Sequence, residues 1–290
     1  MFRRAGGGGE RRVHETAPSR TAFGAAAYRG LHQIVDGGRI FRDPLALRIL
    51  GPYGLLLRIQ AAVRLGPRKA HRGMRLFIAA RSAIAEARLA AGVETRGVTQ
   101  MVVLGAGLDT FGYRNPFEGR LRVFEVDHPA TQAWKRRRLA RARIAIPASL
   151  TFAPVDFETD NLLEALTASG LDPARRTFFA WLGVVPYLTR EAIAATLAMI
   201  GALPGGGEVV FDYSDPPATL SAAARAAQAE RARRVARVGE PFLTHFEPAE
   251  LHAELVAAGL TGIDDLGPQA LTDGDPRRTR GGHVVFAATS

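Results

Sequence analysis

Cysteine is missing altogether from the 290 residues. Disulfides, thiolate nucleophiles and cysteine-held metals are thereby excluded, and the absence fits a reducing, cytoplasmic setting. A long apolar run is missing too: none reaches the roughly 18 residues that suggest a membrane-spanning helix. Acid is scarce relative to base, 28 Asp and Glu against 38 Lys and Arg, for a formal net charge of +10. A basic surface attracts nucleic acid, anionic lipid and acidic small molecules alike, so the sign by itself names no partner. The basic opening Met1-Phe2-Arg3-Arg4-Ala5 leads into four glycines instead of a hydrophobic stretch, which leaves an export signal incomplete. Residues 1–15 are expected to form a disordered tail.

What is present has an order to it. Residues 16–95 read as a helical cap. Ser19 is placed to cap a first helix, Pro44 to sit in the first turn of a second, and Gly92 to stop a third that runs over 69–91. Short apolar runs then recur at 100–104, 121–126, 150–155, 177–182, 208–213 and 283–287, with a further strand expected within 261–266. Such runs suit strands buried on both faces. Helical stretches at 129–143, 162–168 and 190–203 lie between them. That alternation predicts an α/β domain over 96–290, with a parallel sheet covered on both sides. The alanine- and arginine-rich stretch at 218–238 predicts a helical lid, inserted over about 215–246 after the fifth strand. Residues 248–258 form another expected helix, and 273–282 a loop.

The first strand ends in Gly105-Ala106-Gly107-Leu108-Asp109-Thr110, read as a turn that opens a helix. Gly105 permits a sharp turn, and Gly107 lets backbone approach a ligand where a Cβ would clash. Asp127, twenty residues after Gly107, ends the second strand and can accept from both hydroxyls of a ribose. Asp156 ends the third strand and can accept from an adenine amino group, with Phe157 beside it. A dinucleotide fingerprint wants a third glycine where Thr110 stands. The pattern therefore favours an adenosine-bearing methyl donor, while a nicotinamide-dependent oxidoreductase and an RNA-binding or RNA-modifying protein stay open as alternatives.

At these residues the sequence resembles the leucine carboxyl methyltransferase family, in particular its bacterial branch of S-adenosylmethionine-dependent methyltransferases. The resemblance is carried by Ser19-Arg20-Thr21-Ala22, by Phe41-Arg42-Asp43-Pro44-Leu45-Ala46, by the stretch from Val103 through Thr110, by Phe124-Glu125-Val126-Asp127-His128-Pro129, and by residues 181–189. It covers roughly residues 19–260. It implies a Rossmann-like class I methyltransferase sheet of seven mostly parallel strands behind an N-terminal helical cap, with S-adenosyl-L-methionine as cofactor. Carried across by position, the cofactor residues are Arg81, Gly105, Ala106, Gly107, Asp127, Asp156 and Phe157, with Arg81 placed to pair with the methionine carboxylate. Eukaryotic members carry a glutamate after the fourth strand; Leu182 stands there in this chain.

Methyl transfer to a carboxylate needs no base, whereas a hydroxyl needs one. His245 is the base candidate, and Tyr187, just past the fourth strand, is expected to line a substrate pocket with it. The expected partner is a small-molecule methyl acceptor, with neither nucleic acid nor membrane expected. No His/Asp/Glu spacing suits a metal. Lys135-Arg136-Arg137-Arg138 reads as the solvated outer face of a helix, not as a nucleic-acid patch, because aromatic interleaving is absent.

Overall fold

The computed structural model describes residues 20–63, 72–157, 159–237, 239–268, 270–272 and 282–290. The expected tail, Ser19, and nearly all of the expected loop at 273–282 lie outside these residues.

Three helices come first: α1 (Arg20–Val35), α2 (Pro52–Ala62) and α3 (Arg72–Thr95). There follow β1 (Gln100–Leu104), β2 (Arg122–Asp127), α4 (Pro129–Arg141), β3 (Leu150–Pro154), α5 (Leu162–Ala168), β4 (Thr177–Trp181), α6 (Arg190–Gly201) and β5 (Gly207–Tyr213). The chain continues through α7 (Ala222–Ala236), α8 (Pro248–Ala257), β6 (Asp264–Leu266) and β7 (His283–Ala288). The strands form one sheet in the order β3-β2-β1-β4-β5-β7-β6. β7 runs antiparallel to both of its neighbours, and every other pairing is parallel.

Side chains alternate across a strand, and here both sides are apolar. Val102 and Leu104 of β1 join Phe124, Phe179, Trp181 and Phe211 in one core, against Ile193 and Leu197 of α6 and Leu251 and Leu255 of α8. Met101 and Val103 point the other way, to Val123, Phe178 and Val210, and to Ala85 and Leu89 of α3. A third cluster joins Ala26 of α1, Leu57 of α2 and Leu139 of α4. Helix starts follow local chemistry. His128 caps α4 by accepting from Ala130 N–H, with Pro129 next; Asn161 caps α5 and Thr189 caps α6.

Four sequence expectations need correction. Gly92 does not stop α3, which runs on to Thr95. A Cβ at Gly92 would stand 2.9 Å from Val98 Cγ2, so that glycine serves close packing, and the left-handed Gly97 (φ 75°) follows the helix end. Pro44 begins a run of turns, and α2 starts only at Pro52, after Gly51 (φ 59°). The glycine bend after β1 opens no α-helix. It passes into a single 3-10 turn at Phe111–Tyr113, because Asp109 Oδ1 accepts from Phe111 N–H and Thr110 turns its hydroxyl to Asp43. Finally, the basic run on α4 is not all solvated. Lys135 is buried on Glu125 at 2.7 Å, and Arg138 donates to the Ile49 and Leu50 carbonyls.

Candidate functional site

In this strand order, β1 and β4 are neighbours whose connections leave in opposite directions, which opens a crevice at their carboxyl ends. The glycine bend sits on one side of that crevice. Gly105 and Gly107 both have positive φ, 63° and 43°, where a side chain is strained. The Cβ side of Gly105 is taken by Val184, and that of Gly107 by Ala22 of α1. Gly107 N–H donates to Asp127 Oδ2 at 2.5 Å, and His128 N–H donates to Asp127 Oδ1 at 2.8 Å. Each carboxylate oxygen keeps a free lone pair. Burial pushes the Asp127 carboxyl above its ordinary range, against the pull of the two N–H donors. Ala106 is buried and bonds to the Val126 carbonyl.

One strand further out, Asp156 follows β3. Its N–H donates to Asp160 Oδ2, and its side chain is half-buried. Phe157 packs on the larger core. Because Asp127 pairs with Pro154 across β2 and β3, the two acids lie on adjacent strand ends, along the same edge as the bend.

On the other side of the crevice lies a cavity of about 130 Å³. Its wall includes Phe77, Arg81, Gly183, Tyr187, Asp212 and Phe242, drawn from α3, the ends of β4 and β5, and the segment after α7. Arg81 Nη1 donates to Asp212 Oδ2 at 2.7 Å, and Gly183 N–H donates to Asp212 Oδ1 at 2.6 Å. The guanidinium lies so close to Gly183 that a Cβ there would stand 2.6 Å from it. Tyr187 and Phe242 rings are 5.3 Å apart. Burial, then the charge of Glu240, raises the Tyr187 hydroxyl to about 12. Thr21, at the start of α1, bonds to both Tyr187 and Glu240.

His245 is not in that wall. Its Nδ1 lies 2.9 Å from Ser214 Oγ, and Ser214 does line the cavity. Burial holds the imidazole below its ordinary pKa, which favours its neutral form. Among the expected site residues, then, Arg81 and Tyr187 share one cavity, Gly107 and Asp127 share a hydrogen bond, and Asp156 and Phe157 follow on the next strand. Sequence reasoning missed Asp212 and Gly183. Asp212 carried a signal, an acid at the end of a buried strand, as in Asp127. Leu182, at the family's glutamate position, packs on the core beside α3.

Among the described residues, no cluster of His, Asp or Glu could hold a metal ion, and no helix is long and apolar enough to cross a membrane.

The sequence profile of the leucine carboxyl methyltransferase family matches residues 22–201. The chain is 37% identical over 179 residues to the Bacillus subtilis protein named "Putative S-adenosyl-L-methionine-dependent methyltransferase YktD", covering 61% of this chain and 59% of that relative. It is 31% identical over 203 residues to a Frankia alni protein with the same description, covering 68% of each. A crystal structure described as a "putative methyltransferase" from Thermobifida fusca superposes with a TM-score of 0.56 at 16% identity, covering 91% of this chain and 94% of that one. At that identity the likeness shows the fold.

Proposed function

The chain belongs to the leucine carboxyl methyltransferase family, a family of S-adenosyl-L-methionine-dependent enzymes, and on that premise we propose that it methylates an oxygen of a small molecule, a carboxylate or a hydroxyl, in secondary metabolism. The observation that carries this reading is the division of the crevice into two halves. Over β1, β2 and β3 lie a glycine bend and two acids on adjacent strand ends. Over β4 and β5 lies a cavity with aromatic walls.

The first half fits S-adenosyl-L-methionine by its donor set. Asp127 is fixed by two backbone N–H groups and retains lone pairs for a ribose diol. Asp156 would take the adenine amino group, beside Phe157. Gly105, Ala106 and Gly107 form the floor, and Arg81 at Gly183 would take the methionine carboxylate. The bound cofactor supplies a methyl group made electrophilic by its sulfonium, so this chain's residues need only bind, align and exclude water.

The second half suits the acceptor. Its volume approaches the roughly 150 Å³ that holds a benzene ring in an apolar cavity. Phe77, Tyr187 and Phe242 offer ring faces, and Asp212 holds Arg81 by Nη1 alone, so the rest of the guanidinium would face the methionine carboxylate. For a hydroxyl acceptor, Ser214 at the wall and neutral His245 behind it form a path for the departing proton. A carboxylate acceptor is already ionised and leaves that path idle.

Isothermal titration with S-adenosylmethionine tests the reading. We expect one site in the micromolar range, and folded protein that takes up no heat at high micromolar cofactor overturns it. A parallel titration with NADH should give nothing, and retention on immobilised RNA should vanish at moderate salt.

A further inference from the structure

Helix α2 carries apolar residues on two opposite sides, yet the protein covers only one. Gly54, Leu57 and Ala61 face inward and are buried. On the opposite side Leu55, Leu56, Ile59 and Val63, the last just past the helix end, are 61%, 44%, 53% and 56% exposed. Their spacing puts them in one stripe. Contiguous exposed apolar surface of this kind marks a docking face. Tyr53, in the first turn of the same helix, is exposed too, as are Ile40 before it in sequence and Ile146 beyond α4.

The charge around the stripe is of one sign. Among the described residues 20–63, the exposed charged side chains are Arg20, Arg39, Arg42, Arg48 and Arg58. The two carboxylates there are engaged internally, Asp36 by Arg75 and Asp43 by Arg29. Arg48 bonds to the Ala142 and Arg143 carbonyls, which brings the end of α4 alongside. There Arg137, Arg141 and Arg143 are exposed, and residues 128–155 contain no acid.

This combination discriminates between occupants. A symmetric contact with a second copy would set the patch against itself, arginine against arginine. Protein partners are held mainly by aromatic and arginine anchors seated in pockets, whereas this stripe is aliphatic and convex. An aliphatic stripe with arginines beside it is the composition of a helix lying in a lipid interface, where the phosphates attract the rim. We propose that α2 seats the protein on an anionic lipid surface, with Leu55, Leu56, Ile59 and Val63 among the acyl chains and Arg58 at the headgroups.

The test is co-sedimentation of the full chain with vesicles of phosphatidylcholine alone and of phosphatidylcholine with phosphatidylglycerol. The protein should pellet with the anionic vesicles only, and less as salt rises. The double variant Leu56→Glu/Ile59→Glu, whose circular dichroism should match the parent because both sites are exposed, should lower the bound fraction about tenfold. Arg58→Glu should lower it on anionic vesicles as well. Three results overturn the proposal: no pelleting of the parent, undiminished pelleting of the double variant, or a dimer in light scattering that the double variant dissolves, which would name a second copy as the occupant. None of these readouts depends on cofactor binding, so this proposal and the methyltransferase reading can fail separately.

Discussion

Arg81 on α3 and Asp212 at the end of β5 meet at 2.7 Å, 131 residues apart in sequence, with the Gly183 N–H closing the group at 2.6 Å. Both side chains are largely shielded, at 11% and 7% exposure. The pair ties the helical cap to the sheet at the mouth of the cavity. Removing one member leaves the other charge buried without a counterion, a loss of about 3–5 kcal/mol. We expect Arg81→Ala to lower stability by that order in urea unfolding and to weaken S-adenosylmethionine binding. Asp212→Asn should reduce stability while leaving the guanidinium free for an anion. An Arg81→Ala protein with parental stability and cofactor affinity would contradict both roles.

Asp127→Ala removes the acceptor of two backbone N–H groups together with the acid expected to hold the ribose. A hydrogen bond to a charged group contributes about 1.5–3 kcal/mol, so the loss of even one to the ribose should lower cofactor affinity by about 10- to 100-fold in calorimetry. Gly107→Ala should act differently. Its φ of 43° and the Ala22 Cβ 2.8 Å from the new methyl should reduce stability by about 1–3 kcal/mol, read as a lower melting temperature without ligand.

His283 stacks on Tyr213 at 4.6 Å between ring centroids, with ring nitrogens 3.1 Å from Asp215 and Asp265. Those carboxylates outweigh burial and raise the imidazole to about 9, while Asp265 is lowered in turn, His283, Tyr213 and His252 outweighing burial. A group whose folded pKa is raised stabilises fully below its unfolded value and loses that contribution as pH climbs through the folded one. The melting temperature should therefore decline from pH 6.5 to pH 9, and His283→Gln should flatten that decline. A parent curve that is flat over this interval would refute the ion-pair assignment.

His245 and Ser214 separate the two acceptor chemistries. If the acceptor is a hydroxyl, His245→Gln should reduce kcat by about 10²-fold with KM nearly unchanged, and the parent rate should rise with pH through the lowered imidazole pKa. With a carboxylate acceptor, neither change is expected. Steady-state kinetics on matched phenol and benzoate acceptors decides between them.

The sheet was legible because its strands are covered on both faces. Six apolar runs and one further expected strand became seven strands, four of the six runs starting at the expected residue and the other two within one. β6 was shortest and least legible, since Asp264 and Asp265 break the apolar pattern. The glycine bend was legible as a bend. That no α-helix follows depends on Thr110 reaching Asp43, 67 residues away, which no local propensity encodes. Arg138 looked solvated for the same reason, since the carbonyls before α2 that hold it are 88 and 89 residues away; Lys135 looked solvated because its partner Glu125 lies on β2, on the other side of a strand-to-helix turn. Of the candidate site, the residues at strand ends could be read from pattern. Gly183, which admits Arg81, could not, because a glycine's purpose lies in what approaches it.

Asp43 has consequences for traffic through the crevice. Its carboxylate, wholly shielded, takes the Arg29 guanidinium of α1 at 2.7 Å and the Thr110 hydroxyl of the bend at 2.7 Å. Prising the helical layer from the sheet at that place would strand an anion in a dry interior. Cap and bend are thus riveted into one block on this flank, so any movement that admits a guest falls to other parts of the cavity wall, such as Phe242.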